Sequence, residues 1–520
     1  MAAASPNLKS ATIGGVSASA KSAAATSSTG MGGPAVSEAV VVGGGLAGLA
    51  LAIGLRSIGI DAQVYEARSE VGGGEGTIIS LFPNGLRALN RIDPAIVPQA
   101  CEVNLIPLGV SDPTSLLLSP SGDVIAPWGY SATMTARYGL PMLSIRWRDV
   151  LDVLLGMLPN DAVHTGHRLE EITQKEAAGE GSNGEGNDSE GTVECYFRTV
   201  SCGNEHLVRV ETPLLLGADG IHSQVRKHLL GREEGRNGSN EVAWEGVGPR
   251  DNGRTIWRAI IDSTLASHPL LKPRHIFALV GPGRTATISD AAAGRLYWAF
   301  TLVDSADPTV SSSRSSGGEE AREKILRAFE GWDAVTHLAQ VTPPELILER
   351  RVLDLPPLPF WVKGRAALLG DAAHAVTPAL GQGANLAFED AAQLVECLRA
   401  HSGLSDALLA FQSIRMPRVQ AVASQNIASS KKIYDGAEGG GRESDSSSKG
   451  IEAMPGESAG AATTGEPASA ATPAEPAGAA ASIAAGSVTG GKGGGGDGSD
   501  FYDYLYTFDT VSLTESAAGR

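Results

Sequence analysis

Two residues that could carry out acid–base chemistry lie three positions apart in the segment from Leu368 to Ala391. Asp371 precedes His374, and the segment then runs through Pro378 and a Gly-Gln-Gly turn into two adjacent acids. A carboxylate beside an imidazole can orient the ring for proton transfer, usually next to a nucleophile. No serine or cysteine motif elsewhere in the sequence supplies that nucleophile. The alternative is that Asp371 and the glycine turn bind a cofactor, with His374 kept as the candidate catalytic residue.

A second ligand-binding candidate is the glycine-rich segment VVVGGGLAGLALAIGL near the N-terminus. Gly43-x-Gly45-x-x-Gly48 follows an apolar strand, predicted over Ala39–Val42, and begins an apolar helix. The first glycine permits a tight turn, the second lets a pyrophosphate approach the backbone, and the third lets helix and strand pack closely. Unpaired N–H groups at the start of the helix attract phosphates. The segment therefore predicts a dinucleotide site, without distinguishing FAD from NAD.

The elements that must position these residues form the beginning of a parallel α/β sheet. A second strand, predicted over Ala62–Tyr65, ends at Glu66, where a carboxylate can accept hydrogen bonds from a ribose. A later apolar run ends in Gly217-Ala218-Asp219-Gly220, and the carboxyl end of a strand is where a ligand-facing turn belongs. Taken alone, this Asp-Gly pair is as well explained by an ordinary turn.

Composition limits the folded part of the chain. Residues 1–37 are mostly small, and residues from about 437 to 500 hold hardly any large apolar side chain, so both stretches are expected to be disordered. The acid-free leader also has the composition of an organelle transit peptide, although it lacks arginine. The transit-peptide interpretation places the protein in the chloroplast or another organelle, and the alternative places it in the cytoplasm.

Charge and cysteine usage exclude several function classes. The net charge of −17 and the lack of a basic run argue against a nucleic-acid partner. The four cysteines have neither CxxC pairing nor zinc-ligand spacing, which indicates no structural metal. The uncharged run from Ala39 to Leu55 is interrupted by five glycines, four of them between positions 43 and 48, so it is not expected to be a transmembrane segment.

Three motifs in this order resemble the single-component FAD-dependent monooxygenases, the aromatic hydroxylases with a p-hydroxybenzoate hydroxylase-like fold. They are the GxGxxG segment, DGxxSxxR starting at Asp219, and GDAAHxxxPxxGQGxN starting at Gly370. The resemblance covers about residues 38–432. It implies an α/β fold with a Rossmann-like FAD-binding domain and an inserted, mostly β-sheet substrate domain.

The resemblance also implies domain boundaries and cofactor-binding residues. FAD-binding segments are expected at about 38–110, 142–250 and 345–435, and substrate-domain segments at about 111–141 and 251–344. A low-complexity insertion, 436–500, would precede an aromatic segment, 501–520, that either packs back on the FAD domain or forms an unstructured tail. The implied FAD-binding residues are Gly43, Gly45, Leu46, Ala47, Gly48, Glu66, Arg148, Asp219, Gly370, Asp371, Pro378, Gly381, Gly383, Ala384 and Asn385.

The choice of Arg148 follows a family pattern that this sequence meets only in part. Such enzymes have an arginine three residues before a leucine on a helix beside the FAD, and Arg148 precedes Leu151 by three. Aligning on Asp149 instead puts Trp147 in the place of the arginine, and Arg146 is the other candidate.

The implied activity is that of an oxidoreductase with FAD as cofactor and NADPH or NADH as co-substrate. O2 would add to the reduced flavin to give a C4a-hydroperoxide, which transfers one oxygen atom to an aromatic or other unsaturated small molecule. Asp371 would then be a cofactor ligand, and His374 a residue packed near the flavin. The alternatives are a FAD-dependent reductase or dehydrogenase on a related fold, such as an isoprenoid-chain reductase, and a flavin-binding protein without turnover.

Overall fold

A computed structural model describes eleven stretches of the chain. They are residues 35–72, 77–105, 115–127, 131–175, 191–201, 204–231, 248–271, 276–291, 293–307, 318–435 and 499–507. Nearly all of the predicted leader and of the predicted low-complexity insertion lies outside them. None of the helices in these stretches is long and apolar enough to cross a membrane.

The described residues form 19 strands and 12 α-helices. The strands are β1 (Ala35–Val36), β2 (Ala39–Val42), β3 (Ala62–Tyr65), β4 (Ile78–Leu81), β5 (Ser115–Leu118), β6 (Val124–Pro127), β7 (Leu143–Arg146), β8 (Val163–His164), β9 (Arg168–Lys175), β10 (Thr192–Ser201), β11 (Asn204–Thr212), β12 (Leu215–Gly217), β13 (Arg250–Asp262), β14 (Ile276–Gly281), β15 (Arg284–Asp290), β16 (Arg295–Val303), β17 (Leu348–Asp354), β18 (Val362–Lys363) and β19 (Ala366–Leu368). The α-helices are α1 (Leu46–Ser57), α2 (Pro83–Ile92), α3 (Ile96–Glu102), α4 (Ser131–Tyr138), α5 (Trp147–Gly156), α6 (Gln224–Leu230), α7 (Glu319–Ala328), α8 (Asp333–Val341), α9 (Asp371–His374), α10 (Gly383–Ala400), α11 (Leu404–Asp435) and α12 (Ser499–Tyr506).

A six-stranded sheet brings the sequence motifs to one edge. Its order is β18-β19-β12-β2-β3-β8, and all strands except β18 run parallel. The strands β2, β3, β12 and β19 therefore all end at the same edge, where each is followed by one of the predicted ligand-binding segments. The order of the chain reverses at β2, between β3 and β12, and such a switch point is where open α/β sheets bind ligands.

Helices and a second sheet cover the two faces of this parallel sheet. The helix α1 packs against α10, and Gly54 of α1 lies so close to Val395 that a larger residue would not fit. A four-stranded sheet, β1-β11-β10-β9, packs on the other side, where Phe197 stacks on Tyr65 with ring centroids 4.4 Å apart. Apolar residues of both sheets and the helices form one buried core.

A seven-stranded sheet, β17-β13-β16-β15-β14-β5-β6, forms a second core with α7 and α8. Alternate residues of β13 point into that core, including the fully buried Trp257. The predicted fold, a Rossmann-like FAD-binding domain with a mostly β insertion, is confirmed.

Two of the expected domain boundaries deserve adjustment. The side chains of Met134 and Tyr138 in α4 lie in the first core, and β17 belongs to the seven-stranded sheet. We propose that the first substrate-domain segment ends before α4 and that the second extends to the end of β17.

Candidate functional site

The three glycines of the first motif have different surroundings. Gly43 has a φ of +108°, and a side chain there would collide with the backbone of Ala218. A side chain on Gly48 would collide with the carbonyl oxygen of Gly43. Gly45, in contrast, has no atom within 4 Å of the place where a Cβ would lie. The fold needs the first and third glycines, whereas the second leaves open space above the backbone.

Two helices begin beside this space without a side-chain cap. The helix α1 starts after Gly45 with no acid in its first turn, and α10 starts at Gly383 after Gln382. No side chain of the described residues caps either N-terminus, so the first N–H groups of both helices have no side-chain acceptor there. Uncapped helix N-termini attract anionic groups.

The third motif, at Gly370 and Asp371, lies next to the first motif. Gly370 has a φ of +55°, and a Cβ on it would lie 3.2 Å from the Cβ atoms of both Ala47 and Ala387. Asp371 is exposed at the start of α9 and forms no hydrogen bond with the described residues. Partial desolvation by the surrounding protein raises the pKa of the carboxyl, an effect that His374 opposes. A carboxylate in this position has no hydrogen-bond partner in the part of the chain that the structure describes, and it is available to a ligand.

His374 is paired with a different acid from the one next to it in sequence. Its Nε2 lies 2.5 Å from Oδ2 of the buried Asp390, and its ring packs 5.0 Å from that of Trp361. Nδ1 has no hydrogen-bond partner among the described residues. Burial alone would raise the pKa of Asp390, but His374 and then Arg415 hold it below its usual range. The couple that the structure forms is His374–Asp390, and it is buried.

The second motif caps a helix and is tied to the third motif. Asp219 accepts hydrogen bonds from the Ser223 hydroxyl at 2.5 Å and from the backbone N–H of Gln224 at 2.6 Å, at the start of α6. Burial raises the pKa of Asp219 despite these bonds. The buried Arg226 donates to the carbonyl oxygen of Ala372 at 2.9 Å. A contact of Asp219 with a cofactor stays a prediction.

The side chain of Asn385 is used inside the protein. Its Oδ1 accepts the N–H of Phe82 at 2.9 Å, and its Nδ2 donates to the carbonyl oxygens of Ser80 and Gly381. Gly381 has a φ of +63° and follows a 3₁₀ turn, Pro378–Leu380. The asparagine side chain therefore holds the turn in place.

Glu66 bonds to the backbone of the glycine motif, whereas Arg148 contacts Val71 and Asp152. Glu66 accepts the N–H of Gly44 at 2.8 Å and that of Arg68 at 2.9 Å, and each of its oxygens keeps a lone pair for a further donor. Arg148 pairs with Asp152 and donates to the carbonyl oxygen of Val71 at 3.0 Å. It borders a depression of about 320 Å³ whose wall also includes Val163 and Thr165. Between these two residues lies His164, whose carbonyl oxygen accepts the N–H of Glu66.

The sequence analysis assigned no site role to the residues on the face of the seven-stranded sheet that lies opposite the second core. Arg258 lies between the core residues Trp257 and Ala259 and points to the opposite face, and its Nε is buried without a hydrogen-bond partner among the described residues. Tyr297 lies on the same face and bonds to the Thr77 hydroxyl at 2.9 Å, just before β4. The alternation of core residues along β13 was the signal that could have assigned Arg258 to this face.

Known proteins resemble this chain over most of its length. Residues 184–426 match the family model of an FAD binding domain, and residues 41–85 match that of an NAD(P)-binding Rossmann-like domain. A 3-amino-4-hydroxybenzoate 2-monooxygenase of Streptomyces cremeus is 30% identical over 410 residues, which cover 76% of this chain and 88% of that protein. The chain belongs to the FAD-dependent monooxygenases.

A second relative and a solved structure are also similar to this chain. An aurachin C monooxygenase/isomerase of Stigmatella aurantiaca is 29% identical over 403 residues, covering 76% of this monooxygenase and 88% of the relative. The crystal structure of Klebsiella pneumoniae HpxO complexed with FAD and uric acid has a TM-score of 0.59 at 24% identity, covering 77% of this chain and 89% of that one. The predicted family, its FAD cofactor and its oxidoreductase activity are confirmed.

The site of this monooxygenase fits the cofactor of its family. The open space at Gly45, the two uncapped helix N-termini and the partnerless Asp371 provide groups suited to a pyrophosphate and to a polyhydroxyl chain. The contacts of individual residues with FAD stay predictions.

Proposed function

We propose that this monooxygenase consumes NADPH or NADH and inserts one oxygen atom of O2 into an aromatic or other unsaturated small molecule that carries an acidic oxygen. Bound FAD supplies the redox chemistry. Gly45, Glu66 and Asp371 would hold the FAD, and the N-terminus of α10 would stabilise negative charge on it. The protein's remaining task is to bind and orient the substrate and to exclude water.

The proposal of an acidic substrate is supported by the Arg258 side chain, whose Nε is buried without a hydrogen-bond partner among the described residues. A buried guanidinium nitrogen without a partner costs free energy, so such a group is expected to meet an acceptor when the substrate is bound. Arg258 faces away from the second core, on the side of the sheet that is joined to β4 by the bond between Tyr297 and Thr77. β4 in turn borders the turn at Gly381, because a Cβ on that glycine would lie 3.2 Å from the Phe82 ring just after the strand.

Tyr297 supplies a neutral hydroxyl next to this cation. Burial raises the pKa of Tyr297, an effect that the Thr77 hydroxyl and the charge of Arg258 reduce but do not cancel. The phenol therefore stays protonated at neutral pH and can donate to, or accept from, a substrate oxygen. A cation and a hydroxyl on one face suit a phenolate, an enolate or a carboxylate.

The rest of this face suits an apolar ring. Ile256 and Ile260 flank Arg258 along β13 and are only half-buried, as is Leu348 on the neighbouring β17. Sites for small molecules combine apolar walls with a few polar groups that fix orientation. We infer a largely apolar substrate whose acidic oxygen is bound by Arg258.

The test is oxygen uptake with a panel of phenolic acids, hydroxyquinolines and neutral unsaturated compounds. Uptake and NAD(P)H oxidation that both depend on an acidic compound are expected, whereas a reductase would consume no oxygen. Arg258→Met should raise KM for the acidic substrate by about 10- to 150-fold, the range for a hydrogen bond to a charged group. Arg295→Met, an exposed arginine on β16, is the control and should leave KM unchanged. Equal KM values in the two variants would contradict the role of Arg258.

A further inference from the structure

The C-terminal helix α12 packs against the FAD-binding domain. Leu505 and Tyr506 are buried in the first core. Asp503 pairs with Arg137 at 2.6 Å and accepts the Tyr138 hydroxyl at 3.0 Å. In sequence, α12 follows α11 after residues 436–498, yet it is buried in the same core as the strands at the start of the domain.

A polar route leads from α12 to the Gly381-Gln382-Gly383 turn. Arg418 of α11 donates to the carbonyl oxygens of Tyr504 at 3.2 Å and Leu505 at 3.0 Å, and the same guanidinium binds Glu389 through two bonds of 2.7 Å. Asn84 donates to Glu389 at 2.7 Å and to Oε1 of Gln382 at 3.0 Å. Every member of this route is buried except Tyr504.

An apolar route leads to the same turn. The ring of Tyr506 stacks on that of Phe82 with centroids 5.3 Å apart, and its carbonyl oxygen accepts from Arg87 of α2. A Cβ on Gly381 would lie 3.2 Å from the Phe82 ring. The N–H of Phe82 is also bound by Asn385 in the first turn of α10. Displacement of Tyr506 would leave Phe82 unsupported on one face.

We propose that docking of α12 positions the Gly381-Gln382-Gly383 turn and thereby sets the affinity for FAD, with Arg418 as the positioning residue. The proposal rests on the proposed role of this turn in binding the flavin. Two independent routes end at the turn, and neither ends at the glycine motif after β2, so the effect belongs to the flavin end of the site. Coupling between two binding events is reciprocal, so bound FAD must stabilise the docked helix by the same factor.

The first experiment compares Tyr506→Ala with a control substitution outside both routes. Tyr506→Ala removes a buried ring of α12, whereas Leu409→Ala removes an exposed side chain of α11. FAD titration of the full-length apoproteins, followed by flavin fluorescence, should show Kd raised by about 5- to 150-fold for Tyr506→Ala, the usual range of coupling between sites. Leu409→Ala should bind FAD within about twofold of the wild type. Equal Kd values for the wild type and a folded Tyr506→Ala variant would overturn the proposal.

The second experiment uses the wild-type chain, so it holds even if Tyr506→Ala fails to fold. Amide hydrogen exchange of residues 501–506 is measured with and without saturating FAD. The proposal expects slower exchange with FAD by a factor similar to the loss of affinity in Tyr506→Ala. Unchanged exchange overturns the coupling and leaves the proposed monooxygenase activity intact. Absence of substrate-dependent oxygen uptake has the opposite meaning, because it contradicts the activity and not the coupling.

Discussion

At the scale of single residues, Asp371 and His374 differ in what surrounds them. Asp371 is exposed and has no partner among the described residues, while His374 is buried between Asp390 and Trp361. A general base needs to reach a substrate proton, and the nitrogen of His374 nearest to an acid is already used by Asp390. The two residues therefore have different roles. Asp371 is available to a ligand, whereas His374 joins α9 to α10 through Asp390.

The first prediction concerns these two residues. Asp371→Ala should purify largely without flavin, because a hydrogen-bonding group of the cofactor then lacks its acceptor, and FAD binding should weaken by about tenfold or more. His374→Ala should keep its flavin and lose rate by less than about tenfold. The ratio of flavin to protein absorbance and the rate of NAD(P)H oxidation measure both effects. A flavin-replete but inactive His374→Ala enzyme would instead restore the catalytic interpretation of the histidine.

At the scale of elements, strand ends define the site. The strands β2, β3, β12 and β19 lie side by side in parallel, so four segments that are far apart in sequence meet at one edge. The backbone after β2 is then shaped by two glycines that the packing requires and one that it does not. This difference separates a structural glycine from one kept for a ligand.

The second prediction uses that difference. Gly48→Ala places a Cβ against the carbonyl oxygen of Gly43 and should lower stability by about 1–3 kcal/mol or more, because backbone atoms must shift. Gly45→Ala meets no protein atom and has an extended backbone that alanine adopts, so its melting temperature without FAD should match the wild type. Its FAD affinity should nevertheless fall, because the new methyl group occupies the ligand's space. Thermal unfolding of the apoproteins measures the stability of both variants, and FAD titration measures their affinity. Tight FAD binding by a folded Gly45→Ala variant would contradict the role of Gly45 in binding FAD.

Elements with strong local patterns were predictable from the sequence, and pairings between distant residues were not. β2 and β3 have the bounds that apolar runs and glycine turns predicted. The pairing of His374 with Asp390, in contrast, depends on how α9 lies across α10, which no local pattern encodes. The orientation of Arg258 depends on which face of β13 meets α7 and α8. The contact between Asn84 and Glu389 joins residues 305 positions apart, so only the assembled fold reveals it.

At the scale of the whole molecule, a buried ionic network joins the helices behind the site. Glu389 and Asp390 of α10 bind Arg415 and Arg418 of α11 through hydrogen bonds of 2.6–2.8 Å. Burial alone would raise the pKa of Glu389, but the charges of Arg415 and Arg418 lower it below its usual range. Because the pKa is lower in the folded than in the unfolded state, the stabilisation is fully present above the ordinary carboxyl pKa of about 4 and is lost as the pH falls through the lowered value.

The third prediction isolates this network by a comparison of variants. Arg418→Met removes one partner of a buried ion pair and should lower the free energy of unfolding by about 3–5 kcal/mol at about pH 7. Arg399→Met, which breaks the exposed pair with Glu396 on α10, is the matched control and should cost no more than about 1 kcal/mol. Urea unfolding at about pH 7 and again at about pH 3 measures the deficit of each variant.

The deficit of Arg418→Met should shrink at the lower pH, because protonated Glu389 no longer requires a cation. The pKa values of Asp219 and Asp371 are raised by desolvation, so these two groups oppose the trend in the wild type and in both variants alike. Only the difference between Arg418→Met and the wild type therefore reports on the network. A deficit that stays constant across this pH range would mean that Arg418 stabilises the fold by packing and by its bonds to the carbonyl oxygens of α12, and not through the charge of Glu389.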